Sequence, residues 1–222
     1  MARSLVIIVV LLAASYAPAW AQDDENWHGS WFSAQLGYGS ARISCDTCRS
    51  GPHLDGVTGL LALGGTPRPH VHLGAAWEFW ENTLPDGQTV RVLVTVNGSA
   101  YYYPRIRSGL FIEGGLGLAD YRMLKGVHDG VLFPTGDTTY AQGRGWGATV
   151  GLGYDVRVGC GSSIRPRVAY THAYVGTLHS GLHRPLYAAA ARGWKQNVLS
   201  VGVGMGLGLL EASPSSRRAH TS

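Results

Sequence analysis

The chain has 222 residues, with 18 Lys and Arg against 14 Asp and Glu, and its charged residues make up only 14% of the total. Soluble domains carry about 25% charge, and a net +4 this slight and scattered gives no grip on nucleic acid. Gly, at 32 residues, is roughly twice its usual share of ~7%, and the length suits one domain.

Residues 1–21 read as a cleavable signal peptide. Arg3 supplies the positive start, 5–14 the apolar stretch, and Ala19-Trp20-Ala21 a small-x-small cleavage site before Gln22. The apolar stretch is shorter than the ~20 residues a spanning helix needs, and no later segment reaches that length. Residues 22–30 then form a periplasmic lead-in.

Alternating segments predict eight strands: 31–41, 56–64, 70–81, 89–103, 108–122, 144–157, 162–175 and 193–209. The sixth shows the pattern best, with Trp146, Ala148, Val150, Leu152, Tyr154 and Val156 alternating with small or polar residues. A period of two puts the two sets on opposite faces of a strand. The connections alternate in length: 42–55, 82–88, 123–143 and 176–192 are longer, while 65–69, 104–107 and 158–161 are tight. That rhythm predicts an up-and-down antiparallel transmembrane β-barrel over 31–210, with both chain ends at the short-turn, periplasmic rim. Residues 211–222 read as a disordered tail.

The aliphatic faces should meet lipid: Val71, Leu73, Ala75, Trp77 and Phe79 on the third strand, Val90 to Val96 on the fourth, Leu199 to Leu209 on the eighth. The second strand is apolar on both parities and is not oriented by its pattern. Phe32, Tyr102, Trp146, Tyr154 and Tyr174 fall near strand ends, where an interfacial aromatic girdle belongs. The lumen should be polar. Hairpin folding about Leu84-Pro85 sets Glu78 opposite Arg91, and folding about Cys160 brings Asp155 to Arg165 and Arg167. Glu113 comes near Asn97 and Ser99. An eight-stranded barrel is filled by its own side chains, so this lumenal network reads as structural; a narrow channel for hydrophobic or ionic solutes is the alternative.

Cys45-x-x-Cys48 with His53 offers three ligands where a closed zinc site needs four, so an oxidising compartment points to a Cys45–Cys48 loop disulfide. Cys160 belongs to the opposite rim. His172, His179, Ser180 and His183 could place a nucleophile and base near outer-leaflet lipid, but no Asp or Glu lies between Asp155 and Glu211 to orient the base. The pair His70 and His72 alone does not make a metal site. No catalytic residue, metal or cofactor is therefore expected.

The stretches W-F-S-A-Q-L-G-Y-G (31–39), F-I-E-G-G-L-G-L (111–118), G-A-T-V-G-L-G-Y (147–154) and R-P-R-V-A-Y-T-H (165–172), with the run at 197–207, resemble the small outer-membrane β-barrel superfamily of OmpA/OmpX/OmpW-like, porin-related proteins. The resemblance implies an outer-membrane protein assembled by the barrel-assembly machinery, monomeric, with outer-membrane lipid, lipopolysaccharide and an external partner as its contacts. The H-x-S-N type motif of the outer-membrane lipid A deacylases has no match in Thr171-His172-Ala173-Tyr174. The expected function is accordingly structural or surface-interactive, with lipid hydrolysis as a distant alternative.

Overall fold

The computed structural model describes residues 29–46, 51–105, 108–127, 136–159, 161–179 and 192–210. The leader, most of the lead-in, the carboxyl-terminal tail, Cys48, Cys160, Ser180 and His183 lie outside them. The strands are β1 (Gly29–Ser44), β2 (Leu54–Arg68), β3 (Val71–Thr83), β4 (Thr89–Tyr102), β5 (Leu110–Val127), β6 (Gly136–Tyr154), β7 (Val156–Gly159), β8 (Ser162–Gly176) and β9 (Trp194–Leu210). All neighbours pair antiparallel, and β1 pairs with both β2 and β9, so the sheet closes on itself. Both β6 and β7 pair with β8; the two are one wall interrupted at Asp155, and the closed barrel has eight walls. This is the predicted fold.

Closure follows from the side-chain pattern. A face this apolar has to sit in hydrocarbon, where an unpaired strand edge costs several kcal/mol per group. The ladder from Gly29↔Leu210 to Ser44↔Lys195 removes that edge along the whole of β1. The outward parity is apolar across the middle of the wall: Leu36, Leu63, Leu73, Val96, Ile112, Leu116, Leu118, Val150, Leu152, Val168, Leu199, Val203 and Met205 are all exposed. Strand β2, unreadable from its pattern, points Leu61 and Leu63 outward and Leu60 and Ala62 inward. Its inward half is apolar because the lumen at that height is apolar, which the expectation of a polar interior did not allow for. Phe79 is buried on the outward parity, its ring lying over Gly59 of β2.

The turn between β3 and β4 corrects the predicted hairpin. It closes around Asp86 and Gly87, with Leu84 N donating to Thr89 O at 2.8 Å and Gly87 in the left-handed region at φ +67°. Pro85 presets the early turn, and the residue free to turn left-handed is Gly87, not Pro85. Asp86 accepts from the Thr89 hydroxyl at 2.6 Å and from the Thr89 and Gln88 N–H groups. Those bonds, the Thr89 hydroxyl first, hold its carboxyl below the ordinary range. Centring the turn later shifts the register: Glu78 faces Thr95, and Arg91 faces Asn82. The expected Glu78–Arg91 opposition is therefore absent.

Depth along the outer face sets the first expected outcome. Val150 is 60% exposed within the apolar belt, and Tyr140 is 58% exposed beyond it toward the long-loop rim. Val150→Arg should cost about 2–4 kcal/mol of stability in lipid, and Tyr140→Arg about 0–1. Urea titration of both variants refolded in vesicles measures the difference; equal costs would contradict the assigned depth. Thr149→Arg offers no lumenal control for this comparison, since Thr149 is buried among lumenal hydrogen bonds.

Candidate functional site: the lumenal core

The inward residues of each strand stack in three layers. At the short-turn end Trp31, Leu60, Ala62, Ala76, Tyr101, Tyr103 and Phe111 form one buried apolar cluster. Toward the long-loop end Ala41, Trp80, Leu93, Ala119, Tyr121, Val175, Leu178 and Val198 form a second. Polar and charged side chains lie between, and β3 shows the order directly: Ala76 is in the first cluster, Glu78 in the polar layer, Trp80 in the second cluster. Rings fill the first layer closely. Trp31 meets Tyr101 edge-on at 5.2 Å between centroids, and Phe111 lies against Tyr101 and Tyr103 at 5.7 Å each. Phe111 also covers Gly153, where any Cβ would collide with its ring.

Two arginines organise the charge. Arg167 donates through Nη2 to Glu78 at 2.7 Å and also to Glu113, so one guanidinium bridges carboxylates from two other strands. Glu78 Oε2 further accepts from Thr149 at 3.1 Å and Thr171 at 3.3 Å, while Asn97 donates to Thr95 and Thr149. Lower down, Asp155 accepts from Arg165 Nε at 2.6 Å and Nη2 at 2.9 Å, from the Tyr103 hydroxyl at 2.6 Å and from Ser163. The Asp155 N–H donates to Gly109 O at 2.8 Å, one step beyond the Leu110–Tyr154 pair, at the break between β6 and β7. Arg165 also lies over the Phe111 ring at 4.9 Å. Both arginines are almost fully withdrawn from solvent, at 4% and 7% exposure. Charges so placed need partners on every side, because an isolated buried ion is prohibitively costly.

Glu78, Glu113, Asp155, Arg165 and Arg167 thus come together in the lumen, with Asn97 at their edge. Two expected pairings differ: Arg167 serves Glu78 and Glu113 rather than Asp155, and Arg91 sits between Asn82 and Met123 nearer the long-loop rim. Glu113 faces Tyr101 across the ladder, with Ser99 diagonal to it. Sequence reasoning missed Tyr103, Thr149, Thr171 and Ser163. Their inward parity was readable, but bonds across the lumen depend on how the barrel closes. A cavity of about 30 Å³, room for water, opens beside Glu78 among Gln35, Thr58, Thr171 and Ser200.

On the outer face His172 Nδ1 lies 2.6 Å from Asn197 Oδ1, and its ring packs on Trp146. Trp146 and Tyr102 are exposed, and Phe32, Tyr154 and Tyr174 are half-buried. His72 is buried against Trp31 and Tyr103, whereas His70 is exposed and meets Tyr103 O at 2.8 Å. Cys45 is disulfide-bonded; its expected partner Cys48 lies outside the described residues. Among the described residues no three His, Cys, Asp or Glu side chains gather to hold a metal.

These features define a closed, eight-walled antiparallel barrel, greasy outside and filled inside, with the architecture of the small outer-membrane barrels. Among solved structures the chain is similar to Ail, the attachment invasion locus protein of Yersinia pestis, at TM-score 0.52 and 10% identity, over 81% of this chain and 99% of that one. The same protein in complex with the heparin analogue sucrose octasulfate matches at TM-score 0.51 and 9% identity, with the same coverage. Neisserial surface protein A is similar at TM-score 0.49 and 15% identity, over 80% and 97%. At these identities the likeness is one of fold. No protein-family model and no curated protein matches the chain.

The unequal charge count around Arg167 sets the second expected outcome. Arg167→Met leaves two buried carboxylates facing each other and should cost about 3–5 kcal/mol. Adding Glu78→Gln and Glu113→Gln to it should recover much of that loss. Denaturant unfolding in detergent measures both; a single variant as stable as the parent would contradict the bridging role.

Proposed function

We propose that this protein is an integral outer-membrane barrel, exported by its amino-terminal leader, whose role is to brace the envelope and present its long loops to external partners. The observation that carries this reading is the lumen, where an ion-paired layer is sealed between two apolar ones. A solute following the barrel axis meets Trp80, Leu93 and Tyr121 at one end and Trp31, Tyr101 and Phe111 at the other. Both obstacles would have to open, and the charged side chains between them are held by one another. Such an interior suits a rigid pillar better than a conduit.

The reading is also non-catalytic. The described histidine nearest the external rim on β8, His172, is engaged with Asn197 and Trp146 on the lipid-facing wall. A hydrolytic site would need that ring bonded to a nucleophile and oriented by an acid. As a folded unit the barrel would act alone, delivered by the barrel-assembly machinery and surrounded by outer-membrane lipid and lipopolysaccharide.

Planar-bilayer recordings test the reading. The parent protein should be silent, and so should Trp80→Ala with Tyr121→Ala, which opens one apolar layer only. Adding Tyr101→Ala and Phe111→Ala opens the second layer and should produce conductance. Steps from the parent protein that change on Glu78→Ala would instead make it a channel.

A further inference from the structure

The lumen is out of charge balance. Below the Trp80, Leu93 and Tyr121 layer, the described lumenal charges are three carboxylates, Glu78, Glu113 and Asp155, against two guanidiniums, Arg165 and Arg167. Arg165 and Asp155 neutralise each other, so the excess negative charge falls on the two acids that share Arg167. Arg91 lies on the other side of that layer, nearer the long-loop rim. His72 packs on Tyr103 at 4.7 Å between centroids, on the Arg165 side, where a second buried cation would be costly. A cavity of about 30 Å³ opens beside Glu78. Its polar lining is rich in oxygen: the Glu78 carboxylate, the hydroxyls of Thr58, Thr95, Thr171 and Ser200, and the Gln35 amide. Arg167 also lines it, but its Nη2 is held by the two acids. Gln35 is 8% exposed, and its Oε1 has no hydrogen-bond partner among the described residues. Ser200 donates its proton to Ala169 O at 3.3 Å and Thr171 donates to Glu78 at 3.3 Å, which leaves both oxygens free to accept. Beside Glu113 the wall is tighter, since a Cβ at Gly151 would lie 2.5 Å from its Oε1.

From the missing positive charge and the oxygen-lined space together, we infer that this cavity binds one dehydrated monovalent cation, and that the ion it takes is sodium. The inference needs the closed barrel alone and goes beyond the bracing role. A net charge sealed from water is costly until an opposite charge joins it. Hard cations take oxygen ligands, and carboxylate, hydroxyl and amide oxygens all serve. The charge sets the valence, because one positive charge balances the excess acid and two would overshoot. Magnesium would also keep several of its waters, and the cavity holds only about two bodies the size of water. Four of the ligands named are neutral hydroxyls and one is a neutral amide, in keeping with the lack of any cluster of three acids, His or Cys among the described residues. Apolar clusters lie on both sides of the layer, so an ion captured as the wall closes would exchange slowly.

The test refolds the mature chain in zwitterionic micelles in sodium, potassium or choline chloride at one ionic strength and follows its unfolding in urea. Above the dissociation constant, the folding equilibrium constant should rise roughly tenfold for each tenfold rise in sodium, and choline should have no such effect. After gel filtration into choline buffer, the folded parent should retain one equivalent of sodium by atomic emission. Gln35→Leu with Ser200→Ala removes two neutral ligands and should lose both the sodium dependence and the retained ion. Glu78→Gln removes the excess charge and should lose them too; the double variant serves if Glu78→Gln does not fold. Ser163→Ala, in the Asp155 cluster, should keep both. Equal stability in sodium and choline with no ion retained overturns the site. Proton uptake on folding, read as the same pH-dependent stability in every salt, would put a proton shared by Glu78 and Glu113 in place of the cation and overturns it as well. Sodium retained by the double variant overturns the assignment to this cavity, and potassium stabilising as strongly as sodium overturns the choice of ion.

Discussion

The requirement that every backbone N–H and C=O be paired within the wall governs this molecule, because its outer face is too apolar for water to satisfy them. The β1–β9 ladder meets that requirement from Gly29 to Ser44, and the rest of the fold follows from it. Once the wall is closed, strand period fixes which residues face lipid and which face a space too narrow to stay empty. The interior must then be built from side chains alone.

Its solution is layered. Rings and aliphatic groups pack toward both ends; Arg167 ties Glu78 and Glu113 between them, beside the hydroxyls of Thr149 and Thr171, and Arg165 ties Asp155, with Tyr103 and Ser163, among the rings of the short-turn layer. The apolar layers screen the ion pairs from water at either end, which strengthens each contact in the middle. The same desolvation makes the pairs unforgiving, since Arg167 has no substitute partner for its two carboxylates within that layer. Stiffness is the physical consequence, since a lumen so connected ties walls that are not neighbours to one another.

Strand period and loop rhythm made the barrel, its number of walls and most outward faces legible in the sequence. The sixth strand could be read residue by residue because its inward side is nearly all Gly, Ala and Thr. The second could not, since Leu60 and Leu61 both had to be apolar, one for the lumen and one for lipid. The inward charged residues are legible as a set, and so is the Asp155–Arg165 pair, but the partners of Glu78 and Arg167 are not. Moving the β3–β4 turn to Asp86 and Gly87 slides Glu78 from Arg91 to Thr95. Contacts such as Arg167 with Glu78 span strands that are not neighbours, and only closure of the wall brings them into reach.

An outer surface built for hydrocarbon should make the refolded mature chain float on a density gradient with preformed lipid vesicles. The folded protein should rise with the vesicles and stay with them through high-salt and alkaline washes. A compact, monodisperse particle left behind in the aqueous fraction would contradict it.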